Sequence, residues 1–430
     1  MLKESLKWMI LTLVIAAMLV TAVVCVPKII HNSQKVGQEA QREPAQATPT
    51  PTLEPEQTST PLPTLSPTPS PTPLPETADQ WLERMIAERM TTEEKIGQMV
   101  LFGFSGTDQP SDAFAQLHQT YRVGNFILYG NNIKSGDSDG GFGRCAELIN
   151  TLNLSAQTEI PPLIAIDVEG GEVVRFGWPE WPASARTLGR RGDTAAAREQ
   201  FQNIGQKLKS TGIQMNLAPV LDVASNPSGT FLGTRIISDD AETVANIGAA
   251  VIEGLHDSGC LAVAKHFPGH GGTTRDSHDV TPVIEKTLDQ METYDLVPFA
   301  RAVETGVDAI LVAHILYPEL DDTDIASMSS IIITNLLREH LGFSGIVISD
   351  DFRMGGLTTR YDTGDAAVRF ILAGGDMIMC GAQKERQKAI LEGLLTAAQD
   401  GTLTEERINE SVFRILKKKL TVTGWQIDLS

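Results

Sequence analysis

From about Asp79 to the C-terminus, short apolar runs alternate with longer amphipathic stretches. The runs are Gln98 to Phe104, Val123 to Tyr129, Leu163 to Asp167, Ile213 to Val223, Leu261 to His266, Ala309 to Ile315, Gly345 to Asp350 and Asp376 to Cys380. Each is short and rich in Val, Ile and Leu, as buried parallel strands require. Between them, segments such as Thr194 to Ser210, Ala241 to His256 and Leu288 to Glu304 have the composition of helices. Strand alternating with helix predicts parallel strands joined by crossover helices. Eight such units predict an α/β fold, a TIM-like (β/α)8 barrel over residues 79–430, with an open doubly wound sheet as the competing arrangement.

The first 78 residues follow a different pattern. Trp8 to Val26 carries no charge, and at 1.5 Å per residue it matches a hydrocarbon core of about 30 Å. Residues 1–30 are therefore expected to form a short cytoplasmic tip and a transmembrane signal anchor. Cleavage lacks an Ala-x-Ala site after the apolar run, and lipidation at Cys25 would place Val24 where a small residue is expected. Lysines flank both ends, so charge alone does not fix the orientation. Residues 31–78 then read as a disordered Pro/Thr-rich linker, with 11 of the 23 prolines between Pro44 and Pro75. In polyproline II form that stretch reaches roughly 100 Å. Such a spacer suits a domain held outside a cell membrane.

The formal charge of -19 argues against nucleic acid as a partner. The four cysteines are scattered and form no CxxC pair, so they are expected to be buried thiols.

In a barrel, chemistry gathers where strands end and loops begin. Asp167 ends the third run, Lys265 and His266 the fifth, His314 lies late in the sixth, and Ser349-Asp350-Asp351 ends the seventh. The richest stretch is Lys265-His266-Phe267-Pro268-Gly269-His270-Gly271-Gly272, followed by Asp276-Ser277-His278. Three histidines, a lysine and an aspartate around glycines point to a ligand site more than to a solvated Gly-rich turn. A zinc site built from His266, His270, Asp276 and His278 is one alternative, and a non-catalytic wall-binding module is another.

The Lys265–Gly271 stretch with Asp276-Ser277-His278 and Pro282 resembles the signature of glycoside hydrolase family 3 β-N-acetylhexosaminidases. Ile166-Asp167-Val168-Glu169-Gly170-Gly171 through Arg175-Phe176, Leu217 to Val223, Gly233-Thr234-Arg235 and Ser349-Asp350-Asp351 with Met354 are similar to its other motifs, in family order. The resemblance spans about Trp81 to the C-terminus. It implies an exo-acting N-acetylglucosaminidase acting on peptidoglycan fragments and muropeptides, with no cofactor or metal. A monomer is expected.

Retaining cleavage of a β-glycoside needs an attacking carboxylate and a proton donor for the departing oxygen. By resemblance the nucleophile is Asp350, with Asp351 structural; side-chain alternation argues that the two do not share one pocket. His278 can serve as acid and base, since an imidazole titrates near neutrality, and Asp276 can orient its ring. The resemblance assigns the pair these roles, and places Asp167, Arg175, Arg235, Lys265 and His266 around the sugar. Glu169 is expected to be structural, and His270 and His314 to support the loop and strand end. Phosphorolysis and β-glucosidase action are the neighbouring activities.

Overall fold

The computed structural model describes residues 76–155, 159–225 and 230–429. The segments expected to form the anchor, Trp8 to Val26, and nearly all of the linker lie outside them. Among the described residues no helix is long and apolar enough to cross a membrane.

All eight expected strands are present: β1 Val100–Gly103, β2 Asn125–Leu128, β3 Leu163–Ile166, β4 Met215–Asn216, β5 Leu261–Phe267, β6 Ala309–Val312, β7 Ile346–Ser349 and β8 Ile378–Cys380. Every pairing is parallel, in the order β7-β6-β5-β4-β3-β2-β1-β8. A parallel bridge between Ile348 and Met377 joins the two ends, with Ser349 N–H donating to Met377 O at 3.0 Å. The sheet thus closes into the expected barrel, and the open-sheet alternative falls. Strand residues are buried throughout, which is why their runs are continuously apolar rather than alternating.

Most strands are shorter than their apolar runs by a few residues, and two elements depart further, each near a proline. The fourth run extends from Ile213 to Val223, yet β4 holds only Met215 and Asn216. Pro219 has no N–H for a ladder, and beyond it the chain pairs irregularly with β5 through a Val220–Lys265 bridge and Leu221 N–H to Lys265 O. The helix expected from Leu288 to Glu304 is two, Leu288–Glu292 and Val297–Glu304, with Pro298 in the first turn of the second. A proline fits a first turn and interrupts a helix interior.

The end of the barrel opposite the strand C-termini is sealed by helix Glu405–Val422. Its Lys419 is fully buried and donates to the Gln98 side chain at 2.6 Å and Gly124 O at 2.8 Å. Trp425 beyond it packs edge-on against Trp81 of helix Ala78–Arg89, ring centres 5.7 Å apart. Cys145, Cys260 and Cys380 are free and buried, as expected. Burial pushes the Cys145 and Cys260 thiols up to about 12.

Candidate active site

At the C-terminal ends of the strands lies a cavity of about 290 Å³. Asp167, Arg175, Arg235, Lys265, His266, His278 and Asp350 all line it. Asp276, the remaining expected site residue, is not part of the lining and touches it through His278.

One wall is a chain of alternating charges. Asp167 follows the last residue of β3, and a tight turn, Glu169 N–H to Val173 O at 2.8 Å, folds the chain back. Gly170 sits at φ 87°, where a Cβ would stand 2.3 Å from Ala183 O, so the turn requires glycine. Arg175 returns beside Asp167, Nη2 to Oδ2 at 3.2 Å. From β5, Lys265 Nζ lies 2.8 Å from Asp167 Oδ1 and 2.6 Å from Glu169 Oε1. Arg235 grips Glu169 with two bonds of 2.7 and 2.9 Å. Burial pushes the Asp167 and Glu169 carboxyls up, but Lys265 and the arginines outweigh it, so both are held below the ordinary carboxylate range. Lys265 is raised despite its burial, because Asp167 and Glu169 face it. Both carboxylates are thus ionised, and both oxygens of Glu169 are engaged by Arg235 and Lys265.

Asp222, fully buried, organises the floor. It accepts the His266 ring Nδ1 at 2.6 Å and the His270 N–H at 2.6 Å. His270 Nε2 lies 2.8 Å from Ser277 Oγ. Burial lowers His270 to about 4, leaving a neutral imidazole at neutral pH.

Asp350 and Asp351 follow β7. Contrary to the alternation argument, both line the cavity: β7 ends at Ser349, so the two lie beyond the pleat. Their bonding differs sharply. Asp351 accepts from the Tyr129 hydroxyl, the Arg353 guanidinium and the N–H groups of Arg353 and Gly381. Among the described residues Asp350 accepts only the Asp351 N–H, at 2.9 Å. Burial pushes Asp350 up, and the neighbouring His266 and His314 rings lead the effects that outweigh it, so it is held below the usual range. It is a buried, ionised carboxylate with an uncommitted oxygen.

Opposite in character is the Asp276–His278 pair, whose side chains are 40% and 64% exposed, with His278 Nδ1 2.6 Å from Asp276 Oδ1. Burial pushes Asp276 up, and its bonds from the His278 N–H and ring bring it below the ordinary value.

Glu169, named only as structural, proves central to the charged wall. Asp222, Tyr129, Ser277 and Arg353 were not singled out for the site. Asp222 had a legible signal, a carboxylate inside an apolar run. Among the described residues no three His, Cys, Asp or Glu side chains are grouped as metal ligands; His266 and His270 are committed to Asp222 and Ser277 instead.

The strand ends of the barrel thus bring into one cavity a buried carboxylate, an imidazole backed by a carboxylate and a row of ionised side chains, a combination able to exchange protons with a polar ligand. Residues 91–418 match the glycosyl hydrolase family 3 N terminal domain, and the chain belongs to that family. It is 35% identical over 281 residues to a β-hexosaminidase of Thioalkalivibrio sulfidiphilus, covering 64% of this chain and 78% of that one. It is 29% identical to β-hexosaminidase A of Pseudoalteromonas piscicida, spanning 61% of that protein's length and 77% of its own. Among solved structures, it resembles the family 3 β-N-acetylglucosaminidase of Paenibacillus sp. str. FPU-7, with TM-score 0.72 and 37% identity, covering 77% of this chain and 62% of that one. The Beutenbergia cavernae β-N-acetylhexosaminidase gives TM-score 0.70 at 26% identity, covering 77% of this chain and 98% of that one.

Proposed function

We propose that this protein is a retaining exo-β-N-acetylglucosaminidase that releases terminal N-acetylglucosamine from peptidoglycan-derived saccharides. The observation that carries the reading is the convergence on one cavity of Asp350, with a free carboxylate oxygen, and His278, backed by Asp276.

In this reading Asp350 attacks the anomeric carbon while His278 Nε2 gives its proton to the departing oxygen. The resulting glycosyl-aspartate is hydrolysed by a water that His278, now neutral, deprotonates. Asp276 holds Nδ1, fixes the tautomer and stabilises the imidazolium formed on the return step. Asp167 accepts from sugar hydroxyls. Lys265, Arg235, His266 and Arg175 surround the ring, and Arg175 adds a buried Nε–H with no partner among the described residues. Asp351 carries no chemistry, since its oxygens are already bonded.

The names of the relatives support the N-acetylglucosamine specificity. The apolar segment and Pro/Thr-rich stretch of the sequence support a membrane-anchored domain outside the cell, close to wall muropeptides. A panel of nitrophenyl β-glycosides and a disaccharide-peptide, with and without inorganic phosphate, tests the assignment. Free N-acetylglucosamine, formed at a rate indifferent to phosphate, is the expected product by mass spectrometry. Preferential release of glucose would make the protein a β-glucosidase, and a sugar phosphate would make it a phosphorylase.

A further inference from the structure

We propose that Gly355 and Gly356 are positioning residues, a docking strip without side chains that holds the Asp276–His278 loop against the segment carrying Asp350. The proposal rests on the reading of His278 as acid and base.

The loop needs such an anchor because little else holds it. Between Gly272 and Val280 only Thr273 and Ser277 are buried, while His278 is largely exposed. Three bonds tie this exposed stretch to the two glycines. Gly355 N–H donates to His278 O at 2.8 Å and Gly356 N–H to Ser277 O at 2.9 Å. Thr281 Oγ1 returns a bond to Gly356 O at 2.8 Å. On the other side Ser277 Oγ meets His270. The main chain of the acid/base residue is thus hung directly from the chain that leaves Asp350, five residues on.

Glycine is needed here for closeness and not for conformation. Neither residue has a positive φ. A Cβ on Gly355 would stand 2.3 Å from Asp279 O and 2.9 Å from His278 O, and one on Gly356 2.8 Å from His314 O and 3.0 Å from Ser277 O. Those atoms are backbone, so an added methyl displaces the loop. At Gly355 every close atom belongs to that loop, which makes Gly355→Ala the cleaner probe. Alanine is also the better helix former in the short helix Gly355–Thr358.

The test compares wild type, Gly355→Ala, His278→Ala and the double variant on a β-linked disaccharide and on a dinitrophenyl β-N-acetylglucosaminide. Gly355→Ala is expected to lose about tenfold or more in kcat/KM on the disaccharide, with a much smaller loss on the aryl substrate, because only the former needs full proton donation. Azide should accelerate its turnover of the aryl substrate, and the loss on the disaccharide should vanish in the His278→Ala background. Equal loss on both substrates, or no loss on either, overturns the proposal. If His278→Ala itself shows no dependence on the leaving group, the acid/base reading fails first. Should Gly355→Ala not fold, Ser277→Ala, which frees the loop's other anchor, is expected to show the same selective loss, and an unselective effect overturns the proposal.

Discussion

His278 Nδ1 lies 2.6 Å from Asp276 Oδ1, and the same oxygen accepts the main-chain N–H of His278 at 2.9 Å. One carboxylate oxygen therefore holds both ring and backbone, and with Asp276 ionised the Nδ1 site carries the proton. Nε2 is left to exchange protons with the ligand.

His278→Ala is expected to slow cleavage of a real disaccharide far more than that of activated aryl glycosides, whose leaving oxygen needs little protonation and whose first step is partly spared. The second step stays slow, so azide should speed turnover and yield a β-glycosyl azide. Asp276→Ala should show a milder form of the same pattern. Steady-state kinetics on both substrate types, with azide titration, check it.

Glu169 offers a stability test. It is buried and joined to both Lys265 and Arg235, and removing one partner of a buried ionic cluster leaves charge uncompensated. Glu169→Gln keeps the shape and is expected to cost about 3 kcal/mol, with impaired activity. Urea unfolding with the slope held constant measures this.

His270 adds a pH dependence. Its folded value of about 4 lies below the usual 6.5 or so, through burial that outweighs attraction from Asp222 and Asp350. The unfolded chain therefore binds more protons here. Stability from this group is complete above about pH 6.5 and is lost as pH falls towards 4, up to about 3 kcal/mol. His270→Gln should flatten the fall in unfolding free energy between pH 7 and 4.5 relative to wild type.

Much of this site was legible because a barrel strand reads as an apolar run and its first polar residue marks the mouth. Asp167, Lys265 and Asp350 all declare themselves this way. Glu169 does not, since its importance comes from Arg235, 66 positions away, a pairing that only the closed barrel creates. Asp222 is visible as a carboxylate inside an apolar run, but its task is not, since it serves the backbone and ring of His266 on another strand, 44 positions away. Pro219 and Pro298 are breaks visible in the sequence, but each lies inside a longer periodic pattern that masks it. The expectation that Asp350 and Asp351 face apart assumed a pleat that ends one residue too early.

The nucleophile is tested most directly by trapping. A slow fluorinated N-acetylglucosaminide with a good leaving group should accumulate a covalent glycosyl-enzyme, and Asp350→Asn should lose activity by several orders of magnitude without unfolding. Digestion and mass spectrometry of the trapped protein are expected to place one sugar on Asp350. A label on Asp351, or on any residue other than Asp350, would contradict the assignment.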